Sequence, residues 1–260
     1  MSFFFIQMSD PQFGMFASRD AAPSDGSFPE TELFEKAIAA ANRLKPAFVV
    51  ITGDLVQVPT DDRQHQELTR IAGLLDADIP LKLVPGNADL GNTPTDESLS
   101  RFRNKFGRDY YSFDHQNSHF TVVNSCLAFD PSEVPSEWEA ELTFLTEDLA
   151  GAGESKHRIL FMHHPLFGDD PTEADNHMSI PQDQRKELLN LAHETTVTAV
   201  FAGHWHRPHE VNDGDLMMVI TGAVGYPISG GSGLRIVKVY DDHLEHEYFG
   251  MDAIPDTVSM

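Results

Sequence analysis

The chain has 260 residues, 40% of them hydrophobic, with 41 acidic against 18 basic side chains and a formal charge of −23. Such a charge repels phosphate backbones and argues against nucleic acid as a partner, and no apolar run approaches the roughly 18 residues that a membrane-spanning helix needs. The single cysteine, Cys126, excludes an internal disulfide, and no basic leader with a small-residue cleavage site follows Met1, so a cytoplasmic, reducing compartment is expected. The acidic excess is either a solvated surface or a face for a basic partner, and the sequence does not specify the oligomeric state.

In chain order, the apolar residues 3–6 predict a first strand leading to Asp10-Pro11-Gln12. Phe13-Gly14-Met15-Phe16 then opens a loop, rich in breakers, through Ala21-Ala22-Pro23-Ser24-Asp25-Gly26-Ser27. Leaving directly from Asp10 and Gln12, it is either a wall of a site or a plain surface connection. Apolar residues at Leu33, Phe34, Ala37, Ile38, Ala41 and Leu44 predict a helix over 29–44 with one buried face. The unit repeats with a strand at 48–51 ending in Gly53-Asp54, a helix over 61–75, a strand at 81–84 ending in Gly86-Asn87, and a helix over 95–106. This alternation implies strands buried between helices.

Residues 110–113 and 120–123 flank a polar turn and predict a hairpin. Ser136 and Glu139 make a capping-box pattern for a helix whose Trp138, Leu142, Leu145 and Leu149 share a face. A strand at 159–162 then ends in His163-His164-Pro165, followed by a loop over 166–180, a helix over 181–193 and a strand over 197–202 that enters Gly203-His204-Trp205-His206. Two or three further strands (216–221, 234–240, 244–249) close the chain, and the glycine-rich residues 229–233 lack the strand-to-helix context of a phosphate cradle. With no linker, low-complexity run or internal repeat, one domain spanning 1–260 is expected.

Five strand-like runs therefore end in an oxygen or nitrogen donor. An extended segment points alternate side chains the same way, so His204 and His206 are expected to face one point beyond a strand end, with Trp205 turned away to pack. In order, Asp10-Pro11-Gln12, Gly53-Asp54, Gly86-Asn87-Ala88-Asp89, His163 and Gly203-His204-Trp205-His206 resemble the motifs of the calcineurin-like metallophosphoesterase superfamily: Asp-x-His, Gly-Asp, Gly-Asn-His-Asp/Glu, a strand-terminal His, and Gly-His-x-His. Each piece alone is weak; the order carries the specificity.

The resemblance implies an α/β fold, a four-layer α/β/β/α sandwich of two mixed sheets flanked by helices, and a centre of two divalent metal ions. Asp54 would bridge them, with Asp10, Gln12 and His206 completing the first set and Asn87, His163 and His204 the second. Mixed oxygen and imidazole donors suit manganese, iron or zinc. Two departures stand out. Gln12 replaces a histidine with a neutral, harder donor that leans towards manganese, and Asp-Pro-Gln-Phe-Gly is similar to the version in a subgroup that includes cytosolic phosphoprotein phosphatases. Ala88 stands where the family has a histidine that holds phosphate and protonates the leaving oxygen, oriented by the next acid, here Asp89. A methyl group does neither.

The implied reaction is hydrolysis of a phosphomonoester, on a phosphorylated small molecule or a phosphoprotein. Metal-activated water would attack phosphorus in line without a phosphoenzyme, weakened by Ala88 and best on aryl phosphates. Phosphoserine and phosphothreonine are candidate substrates, although Gly53-Asp54-Leu55-Val56-Gln57 lacks the arginine-bearing continuation of the main protein phosphatases. The alternatives are a phosphodiesterase acting on cyclic nucleotides or small diesters, and a non-catalytic binding protein that keeps the fold and its metals. His164 either contacts substrate phosphate or supports another ligand, or it simply hydrogen-bonds nearby backbone; Asp169 and Asp170 either line the cleft or are solvated.

Overall fold

Strand β1 (Phe3–Met8) shows how the layers form in the computed structural model, which describes residues 2–20 and 26–260. Residues 21–25 of the expected loop lie outside the described residues. Alternate β1 side chains face opposite ways. Phe3 and Phe5 join Phe48 and Val50 of β2 (Val49–Thr52) and its lead-in, Val84 of β3 (Leu81–Val84), and Phe120, Ile159, Phe161 and Phe201 from a second sheet in one inner cluster. Ile6, Met8, Val49 and Ile51 point outward into the cluster that contains Phe34, Ala37, Ile38 and Ala41 of α2 (Glu30–Leu44).

The first sheet runs β11-β10-β1-β2-β3 and the second β4-β5-β6-β7-β9-β8, each mixing parallel and antiparallel pairs. In the first, β1, β2 and β3 are parallel, with α3 (Asp62–Ala72) on the crossover between β2 and β3, and β10 (Gly233–Val239) and β11 (Leu244–Gly250) add antiparallel strands. After α4 (Asn87–Leu90) and α5 (Asp96–Phe106), the hairpin of β4 (Tyr111–His115) and β5 (Ser118–Val122) starts the second sheet. It continues through α6 (Ser125–Phe129), α7 (Pro135–Gly151), β6 (His157–Phe161), α8 (Gln182–Glu194), β7 (Ala199–Ala202), β8 (His209–Asp213) and β9 (Leu216–Ile220). The result is the expected α/β sandwich of two mixed sheets flanked by helices.

Several local expectations need correction. Residues 15–19, read as loop, form the short helix α1 (Met15–Arg19). Helix α7 begins at Pro135 rather than at a Ser136 cap, because a proline at the first helical position has no N–H to satisfy. Strand β8 was not expected: its half-exposed, charged sequence His209-Glu210-Val211-Asn212-Asp213 suits an edge strand, and the Gly214-Asp215 turn into β9 is its visible signal. Among the described residues no helix is long and apolar enough to cross a membrane.

The inner face grades from apolar to polar along the strands. Reading every second residue, β1 gives Phe3, Phe5, Gln7, Ser9, and β2 gives Phe48, Val50, Thr52, Asp54. The floor is aromatic, with Phe5 and Phe48 stacked at 4.9 Å between ring centres and Phe5 edge-on to Phe161 of the facing sheet at 5.5 Å. Above it Gln7, fully buried, donates to the Thr52 hydroxyl (3.1 Å) and to the Ala202 carbonyl in the other sheet (3.0 Å), and accepts from the Thr221 hydroxyl (2.5 Å). Buried Arg235 donates to Thr221 in turn (2.8 Å). At the edge of the first sheet the Tyr111 hydroxyl bonds both the N–H and the carbonyl of Leu83, each at 3.1 Å.

Gln7→Leu keeps the volume and strips Thr221 of its buried acceptor. It is expected to destabilise the fold by about 1–3 kcal/mol, read as a lower midpoint in urea; an unchanged midpoint would show that this bridge contributes no net stability.

Candidate metal centre

The donor side chains stand just past the ends of β1, β2 and β3 in one sheet and of β6 and β7 in the other, where the backbone leaves the extended region. Asp10 (φ 49°), Gln12 (37°), Asp54 (49°), His204 (70°) and His206 (51°) are five of the eight non-glycine residues with positive φ among the described residues. Such conformations cost on the order of 1–3 kcal/mol each and collect where a site demands them. This corrects the expected extended geometry: His204 and His206 converge because two left-handed residues turn the chain, not because alternate side chains of a strand align. Trp205 does pack as expected, nearly buried, with its indole N–H donating to the Met178 carbonyl at 2.7 Å. Gly203 is required by contact, since a Cβ there would sit 1.8 Å from Ser9 Oγ and 2.8 Å from Asp10 Oδ2.

Each of the three expected imidazole ligands is anchored through one ring nitrogen to a backbone carbonyl. His163 Nδ1 donates to Thr52 (2.9 Å), His204 Nε2 to His177 (3.1 Å) and His206 Nδ1 to Tyr226 (2.6 Å). These bonds set the tautomers and leave His163 Nε2, His204 Nδ1 and His206 Nε2 aimed inward as lone pairs. They meet other acceptors. His163 Nε2 lies 2.9 Å from Asn87 Oδ1, 3.2 Å from Asp54 Oδ1 and 3.2 Å from His204 Nδ1, and His206 Nε2 lies 3.3 Å from Asp10 Oδ1. The ligand atoms form two groups, Asp54-His163-His204 and Asp10-Asp54-His206, each within 4.8 Å, with Asp54 common to both.

A cluster of acceptors with few donors calls for positive charge. Buried Asp10 Oδ1 and Gln12 Oε1 have no hydrogen-bond partner, while the Gln12 amide N–H donates to Asp54 Oδ2 at 3.1 Å. Burial would push the His163 imidazole down, but the Asp54 and Asp10 carboxylates hold it up at about 9. Burial raises Asp10, and His206, His163 and the Ser9 hydroxyl outweigh it and bring the carboxyl down to about 2. His204, desolvated and beside His163, falls to about 4. Protons thus occupy the place that cations would take, and the donor set fits two divalent ions of borderline hardness.

The remaining expected residues divide. Asn87 and Ala88 are half-buried at the opening, and the Ala88 N–H donates to Asp54 Oδ1 at 2.7 Å. Asp89, expected as the acid that orients the residue before it, turns inward and accepts from the Gly86, Leu55 and Val56 N–H groups at 2.9–3.2 Å, so its carboxylate ties the β2 and β3 loops together. His164 is fully buried, bonded to the Ser125 hydroxyl (3.0 Å) and stacked on Phe129; it backs His204, 4.6 Å away between ring centres, and does not face solvent. Asp169 and Asp170 are exposed.

The sequence reading missed three supports. Buried Glu30 accepts from the Gly14 and Phe16 N–H groups and so holds the chain after Gln12. Ser125 Oγ receives both the His163 and His164 N–H groups. Buried Arg185 donates to the Pro171, Glu173 and Ile180 carbonyls and underpins the loop that contacts His204. Only the Arg185 position on the otherwise apolar face of α8 offered a signal.

The profile of the calcineurin-like phosphoesterase family matches residues 5–208. The serine/threonine-protein phosphatase CPPED1 of Bos taurus is 36% identical over 267 residues, covering 98% of this chain and 85% of that protein. A "Probable cyclic nucleotide phosphodiesterase" of Rhodopseudomonas palustris is 29% identical over 184 residues, 68% of this chain and 64% of that one. Among solved structures, a dimetal phosphatase from Danio rerio superposes with a TM-score of 0.68 at 17% identity, covering 96% of both chains.

Because the metal-free His163 holds a proton up to about pH 9, a divalent cation has to displace it. Manganese affinity is therefore expected to rise between pH 7 and pH 9 and to level off above. Calorimetric titrations at pH 7.5 in buffers of different ionisation enthalpy should show proton release; none would contradict this electrostatic picture.

Proposed function

This chain belongs to the calcineurin-like phosphoesterase family, and from that membership we propose that it is a dinuclear metal-dependent phosphatase acting on phosphomonoesters, phosphoserine and phosphothreonine among them. The observation that carries the reading is the sharing of Asp54 by two groups of buried donors. Asp10, Gln12, Asp54 and His206 would hold one cation, and Asp54, Asn87, His163 and His204 the other. Two divalent cations so held supply positive charge to phosphoryl oxygens and make bound water acidic enough to act near neutral pH.

The chain's own groups do the rest. The three carbonyl-anchored imidazoles present fixed lone pairs, so little reorganisation accompanies the reaction. Asn87 and His204, half-buried, border the side from which substrate arrives, whereas Asp10, Gln12 and His206 are enclosed. Ala88 offers only its N–H, already engaged by Asp54, so it gives the leaving oxygen no proton. Likeness to CPPED1 over nearly the whole chain favours protein phosphomonoesters; the weaker likeness to the Rhodopseudomonas palustris protein keeps a second reading, hydrolysis of cyclic nucleotides or small diesters.

Phosphate release from a phosphoserine peptide with added manganese tests the proposal. Ala88→His is expected to raise the rate by about 10²–10⁴-fold, and by less on an aryl phosphate whose leaving group needs no proton. Asp54→Asn should lose both activity and bound manganese. Release from cyclic nucleotides but not from the peptide, in either form of the chain, would replace this reading with the diesterase.

A further inference from the structure

The loop over residues 166–180 is fixed against the metal-binding turn. Two consecutive carbonyls, His177 and Met178, accept from the ring N–H groups of two consecutive residues, His204 (3.1 Å) and Trp205 (2.7 Å). From inside the loop, Glu173 accepts from the Gly168 N–H, the Ser179 hydroxyl and the Asn176 amide, while Arg185 holds three of its carbonyls from below. The backbone of residue 177 is thereby placed against a candidate ligand at the open side of the site, where Asn87, Ala88 and His204 are the partly exposed members.

The His177 side chain is exposed, and of the thirteen histidines it is the one whose ring makes no hydrogen bond, ion pair or ring contact among the described residues. Among 41 acidic side chains the His177 ring engages none within the described residues, while its backbone is held against a candidate ligand. Ala88, half-buried beside Asp54, has no side-chain donor. Loss of a donor at position 88 coincides with an unengaged donor at position 177.

We propose that His177 contacts the substrate, its ring N–H donating to the leaving-group oxygen of a bound phosphomonoester, the contact that Ala88 cannot make. This rests on the phosphatase reading above. The loop geometry supplies the positioning: because the His177 carbonyl is tied to His204, the ring swings from a fixed point, and the Glu173 and Arg185 bonds keep that point in place.

The test uses the full chain loaded with manganese, as wild type, His177→Ala, Ala88→His and the double variant. His177→Ala is expected to lower kcat/KM on a phosphoserine peptide by about tenfold to a hundredfold, the worth of a hydrogen bond to a charged group, and to lower it much less on an aryl phosphate. Adding Ala88→His should restore the peptide rate. Equal losses on both substrates, or none, would overturn the proposal.

A second arm does not depend on turnover. Inorganic phosphate places an oxygen where the leaving group departs, so His177→Ala should weaken its calorimetric Kd by about tenfold with manganese content unchanged. An unchanged Kd, or a manganese loss that parallels the weaker phosphate binding, would refute the contact. If wild type releases no phosphate from any ester, the proposed function falls, and this arm still judges His177.

Discussion

A carboxylate common to two groups of buried donors must be fixed in direction as well as distance, and Asp54 is held from several sides. Its backbone carbonyl receives the Gln12 N–H at 2.9 Å, one carboxylate oxygen receives the Ala88 N–H and the other the Gln12 amide. Gly86 lies so close that a Cβ there would come within 2.2 Å of both the Asp54 N and its Oδ1. The loops after β1, β2 and β3 are therefore locked to one another through a single residue. The Asp89 carboxylate, pushed up to about 7 by burial and by the Asp54 charge despite its backbone donors, closes the same junction from behind.

The rest of the sandwich sets the height at which this junction meets its partners from the second sheet. Phenylalanines fill the floor between the sheets, and the polar bridge of Gln7, Thr52, Thr221 and Arg235 lies one residue pair above them. Thr52 links the two levels, since its hydroxyl belongs to the bridge and its carbonyl orients His163. A shift of either sheet relative to the other would move His163 and His204 away from Asp54. Packing in the floor and geometry at the rim are thus one constraint.

Much of this could be read from the sequence because the informative signals were local. Apolar runs ending in Asp10, Asp54, Asn87, His163 and His204 located the strand ends, and their order nominated side chains that the structure brings together. What stayed hidden depends on contacts between distant residues. Nothing near Glu30 indicates that its carboxylate will cap the chain at Gly14 and Phe16, and nothing near Arg185 indicates carbonyl partners in the preceding loop. The left-handed turns at Gln12 and His206 also escaped pattern reading, since positive φ is uncommon for any residue with a side chain and the finished site imposes it here. The motif marked Asp89 as an acid beside the site; its burial and backbone partners belong to the folded chain.

The Tyr111 hydroxyl on the edge of β3 bears on how copies of this chain keep apart. A charge of −23 separates molecules in dilute buffer, but that repulsion fades once salt shortens the Debye length to a few ångström. The exposed N–H and carbonyl of an edge strand then become an invitation to sheet-to-sheet growth. Tyr111 occupies both groups of Leu83 with one oxygen, and a hydrogen bond already made is not dissolved by counterions. At Leu83, then, the edge is closed by a contact that owes nothing to the net charge of the chain.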